Sequence, residues 1–248
     1  MPLTSEDALL WVVMARRTKI IATMGPSTQD PEVVRAMVAA GMDVARLNFS
    51  HGTADDHRQM AEWIRTAADA EGRSVGILQD IQGPKLRLGT FPEGPHRLTR
   101  GETVEVISSE VAADGAVPIV YDGLLRDVAV GHRIILADGL VRLRVTDVGD
   151  DRLHAEVELS GIVSDRKGVA FPDSDLDTPT ITEKDEADLV VGREIGVDYV
   201  AVSFVRGAAD LERVREIAGD VPLIAKIELA SGYERLDEIL SEIGRAHV

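Results

Sequence analysis

The sequence contains no cysteine. That removes disulfides, thiolate metal sites and cysteine nucleophiles together, and it suits a reducing compartment such as the cytoplasm. Aromatic residues are scarce at 4%. No apolar run reaches the length a membrane helix needs; the longest candidate, Ala8 to Met14, is too short and follows Glu6 and Asp7. It also lacks the basic leader and small-residue cleavage site of a signal peptide. Positive charge is in deficit, with 27 Lys and Arg against 43 Asp and Glu, a net charge of −16. Nucleic acid and anionic membrane are therefore poor partners, although a local basic cluster can still bind a small anion. No G-x-x-x-x-G-K-[ST] and no G-x-G-x-x-G is present, so a P-loop or Rossmann phosphate cradle is unsupported.

What is present has a rhythm. Lys19–Thr23 reads as a short strand. Asp30-Pro31 opens a helix that stops at Gly41, and Val44–Phe49 is a second strand. Ala54–Glu71 is an amphipathic helix ending at Gly72, and Val75–Leu78 is a third strand. This alternation predicts parallel strands joined by helices. It breaks after Gly83-Pro84. From residue 89 to 172 the chain reads as short strands (Thr103–Ile107, Arg133–Leu136, Leu140–Val145, Leu153–Leu159), with Asp138-Gly139 as a type I′ hairpin signal. The rhythm resumes with a capping box at Thr182 and Asp185 and a helix to Ile195. Strand Asp198–Phe204, helix Ala208–Ala218, strand Leu223–Glu228 and helix Tyr233–Leu240 follow. A small β-domain inserted into a β/α domain is the expected architecture, with barrel segments at 16–88 and 173–241. Periodicity alone leaves a barrel and a doubly wound sheet both open. Residues 1–15 are expected to be an unstructured tail or a misassigned start, with Met14 as the natural initiator, and 242–248 read as a non-native end.

In parallel β/α folds the chemistry lies at the carboxyl ends of the strands. Along Val44–Ser50, strand alternation puts Arg46, Asn48 and Ser50 on one face and Ala45, Leu47 and Phe49 on the other. A central parallel strand should be apolar on both faces, so Arg46 needs an anionic partner. Lys226 and Glu228 share a face at the end of another apolar run, and Asp80 ends the third strand. Each alone is readable as a structural ion pair; three on separate strands favour one polar site. His51 is a nucleotide contact or a loop residue. His57 reads as a solvated helix residue, and Arg166 and Lys167 reach phosphate or are surface charge.

The segments Thr18-Lys-Ile-Ile-Ala-Thr-Met-Gly-Pro26, Val44-Ala-Arg-Leu-Asn-Phe-Ser-His-Gly52, Gln79-Asp-Ile-Gln-Gly-Pro-Lys-Leu-Arg87, Lys167-Gly-Val-Ala-Phe-Pro172 and Ile224-Ala-Lys-Ile-Glu228 resemble pyruvate kinase, in that family's order. The resemblance implies a (β/α)8 TIM barrel, here with about five strands, and an inserted small β-barrel lid. It implies phosphoryl transfer from phosphoenolpyruvate to ADP, with Mg²⁺ or Mn²⁺ as cofactor and K⁺ at a second site, in a cytoplasmic homotetramer. It assigns Arg46 and Lys226 to the substrate and the transferring phosphoryl group, and Glu228 to Mg²⁺. Asn48, Ser50, Asp80 and the carbonyl of Ile81 would hold the monovalent cation, and Asn48, Phe49, Ser50, His51, Arg87 and Lys167 would line the nucleotide. The family's next strand brings a further Mg²⁺ carboxylate, so this stretch by itself is expected to be inactive. A lyase or aldolase of similar barrel, or a non-catalytic paralogue, are the competing expectations.

One departure from the family pattern has a consequence. Lys85 stands where potassium-dependent members carry Glu, and an ammonium there supplies the charge that K⁺ otherwise would. Turnover by the complete protein is therefore expected to persist when K⁺ is replaced by tetramethylammonium; a collapse of the rate would contradict the substitution.

Overall fold

The computed structural model describes residues 17–243. The expectations for residues 1–15 and for the stretch after Ile243 lie outside it. In chain order the first elements are β1 (Ile21–Met24), α1 (Pro31–Ala39), β2 (Val44–Asn48), α2 (Ala54–Ala70) and β3 (Gly76–Asp80). The inserted strands are β4 (His96–Leu98), β5 (Thr103–Ser108) and β6 (Val117–Ile119), a short helix α3 (Leu124–Asp127), β7 (Arg133–Leu136), β8 (Val141–Val148), β9 (Leu153–Leu159), β10 (Gly161–Val163) and β11 (Val169–Ala170). Then come α4 (Glu183–Ile195), β12 (Tyr199–Val202), α5 (Ala208–Ala218), β13 (Leu223–Ala225), α6 (Ala230–Glu234) and α7 (Leu236–Ile243).

These elements form two compact units. One runs to Ile81 and adds Ala187–Ala201 and Ala218–Ile224; the other is Gln82–Glu186, Val202–Ile217 and Ala225 onward. The first holds a five-stranded sheet in the order β1-β2-β3-β12-β13. The pairings β1–β2, β2–β3 and β3–β12 are parallel. Local chemistry sets the helices between them. Asp30 caps α1 by accepting from Glu32 N at 2.8 Å, with Pro31 at the first helical position. Thr53 and Asp56 cap α2 reciprocally, Asp56 N donating to Thr53 Oγ1 at 3.2 Å and Thr53 N to Asp56 Oδ2 at 2.8 Å. Ala45, Leu47 and Phe49 are buried under these helices with Val34, Val38, Ile64 and Ile77.

The second unit contains a six-stranded sheet, β11-β7-β8-β9-β5-β6, and a β4–β10 ribbon. Its own core includes Leu88, Leu98, Val106, Ile134, Leu143 and Phe171. Along β8, Val141, Leu143 and Val145 are buried while Arg142 and Arg144 face solvent, the alternation of a half-buried strand. The β7–β8 hairpin forms, but not through a two-residue type I′ turn. Leu136 pairs with Val141, and Ala137–Gly139 make a 3-10 turn with Ala137 and Gly139 at positive φ. Several other boundaries differ from expectation, among them the end of the strand expected at Asp198–Phe204, which stops at Val202. β13 stops at Ala225, and the last helix is two helices broken at Arg235. Gly232 allows α6 to start early and press on the chain, because a Cβ there would lie 2.3 Å from the Val205 carbonyl oxygen. Among the described residues no helix is long and apolar enough to cross a membrane.

A buried glutamine explains a glycine in mid-helix. Gln79 is fully buried on β3 and donates Nε2 to the Asp188 carbonyl at 2.6 Å. Its Oε1 occupies the space of a side chain at 192, 1.9 Å from where a Cβ would stand. Glycine in a helix interior costs about 1 kcal/mol relative to alanine, yet Gly192→Ala is expected to destabilise the protein by about 1–3 kcal/mol through overpacking. In urea unfolding, Gln79→Ala should remove most of that penalty in the double variant; equal penalties in both backgrounds would refute the steric account.

Candidate functional site

In the first unit the carboxyl ends of β1, β2 and β3 bring three polar side chains together. The register places Thr23 beside Arg46 and Asn48 beside Asp80. Arg46 Nε donates to Asp80 Oδ2 at 2.7 Å, its Nη2 meets the same oxygen, and Nη1 donates to Thr23 Oγ1 at 2.9 Å. Asp80 is nearly buried, with 5% of its side chain exposed, whereas 32% of the Arg46 side chain is exposed. The anionic partner expected for Arg46 is thus Asp80, one strand away. Two of the five guanidinium N–H groups remain for a further acceptor. Asn48 Oδ1 accepts from Ser50 N at 3.1 Å, and Phe49 N donates to the Asp80 carbonyl at 3.0 Å, which closes the turn after β2 against the end of β3. Ile81 is buried, its N–H held by the Ala201 carbonyl at 3.1 Å. The oxygens of Asn48, Ser50, Asp80 and Ile81 are hard donors of the kind an alkali cation takes.

A cavity of about 780 Å³ lies beside this cluster in the same unit, lined by Thr23, Asn48, His51, His57, Gln59 and Trp63 among others. His57 is not a solvated helix residue. It is buried, stacks on Phe49 with ring centroids 3.8 Å apart, and places Nε2 3.0 Å from the His51 carbonyl oxygen. The signal was in the sequence: His57, Met60, Ala61 and Ile64 follow the i, i+3, i+4, i+7 spacing of the buried face. Thr23 was also missed as a ligand of Arg46, although it is the polar end of an apolar strand.

In the second unit, Lys226 and Glu228 lie beyond β13, in the loop that follows it, so strand alternation does not pair them. They nevertheless approach, with Lys226 Nζ 4.0 Å from Glu228 Oε1. Lys226 N donates to the Val202 carbonyl at 3.0 Å, and Glu228 Oε2 accepts from Phe204 N at 3.0 Å. For a divalent cation the donor chemistry fits in part. Glu228 is a hard carboxylate held in place by a backbone N–H. No group of three or more His, Asp or Glu able to hold a metal occurs among the described residues. Mg²⁺ is usually bound through one or two carboxylates with substrate phosphates and water, and Glu228 offers one such carboxylate. Arg87 and Lys167 are brought together by backbone pairing: Leu88 N donates to the Lys167 carbonyl at 2.8 Å and Arg87 Nη1 to the Arg166 carbonyl at 3.0 Å. The Arg166 side chain instead pairs with Glu110 at 2.8 Å. Lys85 N donates to the Gly83 carbonyl at 2.8 Å in the tight turn after β3, and Gly83 N donates to the buried Asp185 at 3.1 Å.

The segment returning from the inserted strands is laced by charge. Arg133 donates Nε at 2.8 Å and its backbone N at 2.9 Å to Asp173, and this hydrogen bonding holds the Asp173 carboxyl at about 2 against the opposing cost of burial. Four residues on, Asp177 N donates to Asp127 at 3.0 Å, and the Tyr121 hydroxyl donates to the same carboxylate. The Arg126 guanidinium above all keeps Asp127 at about 2, while burial, and then the carboxylate, push the Tyr121 hydroxyl to about 12.

A family profile described as "Pyruvate kinase, barrel domain" matches residues 15–246. The chain belongs to the pyruvate kinase family. It is 46% identical over 202 residues to a pyruvate kinase of Mycobacterium tuberculosis, covering 81% of this chain and 43% of that protein. A Mycobacterium intracellulare pyruvate kinase is 47% identical over 203 residues, with coverage of 81% and 43%. One from Corynebacterium glutamicum is 44% identical over 202 residues, with coverage of 81% and 42%. The chain thus spans about two fifths of the length of the curated pyruvate kinases it matches. The parallel β/α sheet and the inserted strands are the fold expected of the pyruvate kinase barrel.

The return-segment pairing has a pH signature. An aspartate titrates near 3.9 when unfolded, so a folded value of about 2 stabilises the native state at neutral pH. That contribution is full above about pH 5 and is lost as the pH falls towards 2. Asp173→Asn is expected to lower the melting temperature at pH 7, with the gap to the parent shrinking progressively below about pH 5 and closing only below about pH 2; a gap independent of pH would exclude the ion pair as its cause.

Proposed function

We propose that this chain is the β/α and insert portion of a phosphotransferase that moves the phosphoryl group of phosphoenolpyruvate to ADP, giving pyruvate and ATP in the last step of glycolysis. The observation that carries the reading is Arg46. An arginine on a central parallel strand, tied to Asp80 and Thr23 yet with donors to spare, is suited to a phosphoryl group. Family membership supports the remainder.

In this reading the terminal phosphate oxygen of ADP attacks phosphorus, the bond from phosphorus to the enol oxygen breaks, charge spreads over the phosphoryl oxygens, and the enolate released takes a proton from water at its methylene carbon to become pyruvate. Catalysis of that step is positioning and charge stabilisation. Arg46 orients the phosphate through paired N–H groups, and Lys226 places an ammonium against the transferring group. Glu228 holds Mg²⁺ or Mn²⁺, which when bound neutralises phosphoryl charge. Asn48, Ser50, Asp80 and the Ile81 carbonyl form the monovalent-cation site, where Lys85 lessens the need for K⁺. Asn48 to His51, with Arg87 and Lys167, contact the nucleotide, and the inserted domain excludes water as a lid. A cytoplasmic homotetramer is the proposed assembly.

The test is pyruvate formation, coupled to NADH oxidation by lactate dehydrogenase. Joined to the part of the Mycobacterium intracellulare relative that it does not cover, the chain should form pyruvate only when ADP and Mg²⁺ are both supplied. Arg46→Lys and Lys226→Met should each lower kcat/KM by about 100-fold or more. Turnover without ADP would point to a lyase, and unaffected variants would remove Arg46 and Lys226 from the reaction.

A further inference from the structure

We infer that Phe204 is a positioning residue for Glu228, its backbone amide fixing which carboxylate oxygen faces a divalent cation. The inference rests on the reading of Glu228 as the cation-binding carboxylate. Phe204 has φ 56, in the left-handed region that bulky side chains rarely enter. Such outliers persist only where the surroundings over-determine them, and they cluster at functional sites.

The surroundings do so here from three sides. The Phe204 N–H donates to Glu228 Oε2 at 3.0 Å. The ring rests on Gly83, where an added Cβ would lie 3.0 Å from Phe204 Cδ2 and 3.1 Å from Ser203 Cβ. Gly83 itself has φ 66, so a side chain is excluded there twice over. Downstream, Arg206 N and Gly207 N donate to Asp210 Oδ2 at 2.8 and 3.3 Å, and the Val205 carbonyl is pressed by Gly232. An extended residue 204 would send the chain after it away from the turn that Arg206 and Gly207 close on Asp210. In the observed turn Oε2 is committed to the Phe204 amide and Oε1 is the oxygen near Lys226, 4.0 Å away. A metal-binding carboxylate oriented in this way is held by its outer partner, and losing such a partner weakens metal binding by about 10- to 100-fold.

The experiment is a Mn²⁺ titration of the whole chain in the presence of phosphoenolpyruvate, read by electron paramagnetic resonance, with thermal melting followed in parallel. Phe204→Ala, which removes the ring packed on Gly83 but keeps the cost of a left-handed backbone, should weaken Mn²⁺ binding by about tenfold, whereas Phe204→Gly, which removes the ring and the cost together, should bind more tightly than Phe204→Ala. Phe204→Tyr, which keeps the ring, should bind as the parent does. Gly83→Ala, which crowds the ring from the other side, should reproduce the loss without a change at 204. Glu228→Gln should weaken binding at least as much as any of these. Parent-like binding by Phe204→Ala, with Glu228→Gln still impaired, would overturn the positioning role alone. Parent-like binding by Glu228→Gln would remove the reading of Glu228 and this inference with it.

Discussion

A cation on a strand that should be apolar is the constraint around which the first unit is built. Arg46 can stand on β2 only because β1 sets Thr23 directly beside it and β3 ends in Asp80, two register pairs further along. Desolvating such a pair offsets most of its Coulombic gain, so it is weak evidence for stability by itself. The geometry is informative in a different way. Arg46 is over-supplied with donors for the partners it has, and a third of its side chain is open. An ion pair kept for stability alone would close over both partners. A pair whose carboxylate is nearly buried and whose guanidinium is partly open is arranged to meet a third, anionic group.

The second unit shows the same economy in its loops. Glu228 is held by the backbone amide of Phe204, a residue in an unfavourable conformation, with the Lys226 ammonium 4.0 Å from its other oxygen. Asp185 serves twice, capping α4 through Thr182 and holding Gly83 in the turn after β3. Asp127 likewise gathers Tyr121, Arg126 and the Asp177 amide at the end of the inserted strands. Each of these carboxylates stabilises a place where the chain passes from one run of elements to the next.

The fold was largely legible in the sequence because its signals are local. Asp30-Pro31, Thr53 with Asp56, and Thr182 with Asp185 are caps whose hydrogen bonds span two or three residues. The partner of Arg46 was legible as a requirement but not as a residue, since parallel register between β2 and β3 is a long-range property. Lys226 and Glu228 were found for an incomplete reason: β13 ends before them, and a loop rather than strand alternation brings them near. The hairpin at Ala137–Leu140 departed from type I′ because Ala137, an ordinary residue, takes the first left-handed position. The strain at Phe204 has no sequence signal, for nothing in Ser203-Phe204-Val205 distinguishes it from a strand.

Arg46 and Asp80 are arranged for an anion rather than for the fold. The most direct measurement replaces the pair by apolar residues of similar volume, as Arg46→Met with Asp80→Leu, and follows both urea unfolding and calorimetric binding of phosphoenolpyruvate. The account predicts unfolding free energy within about 1 kcal/mol of the parent together with complete loss of binding. Loss of cooperative unfolding, or retention of binding in the double variant, would contradict it.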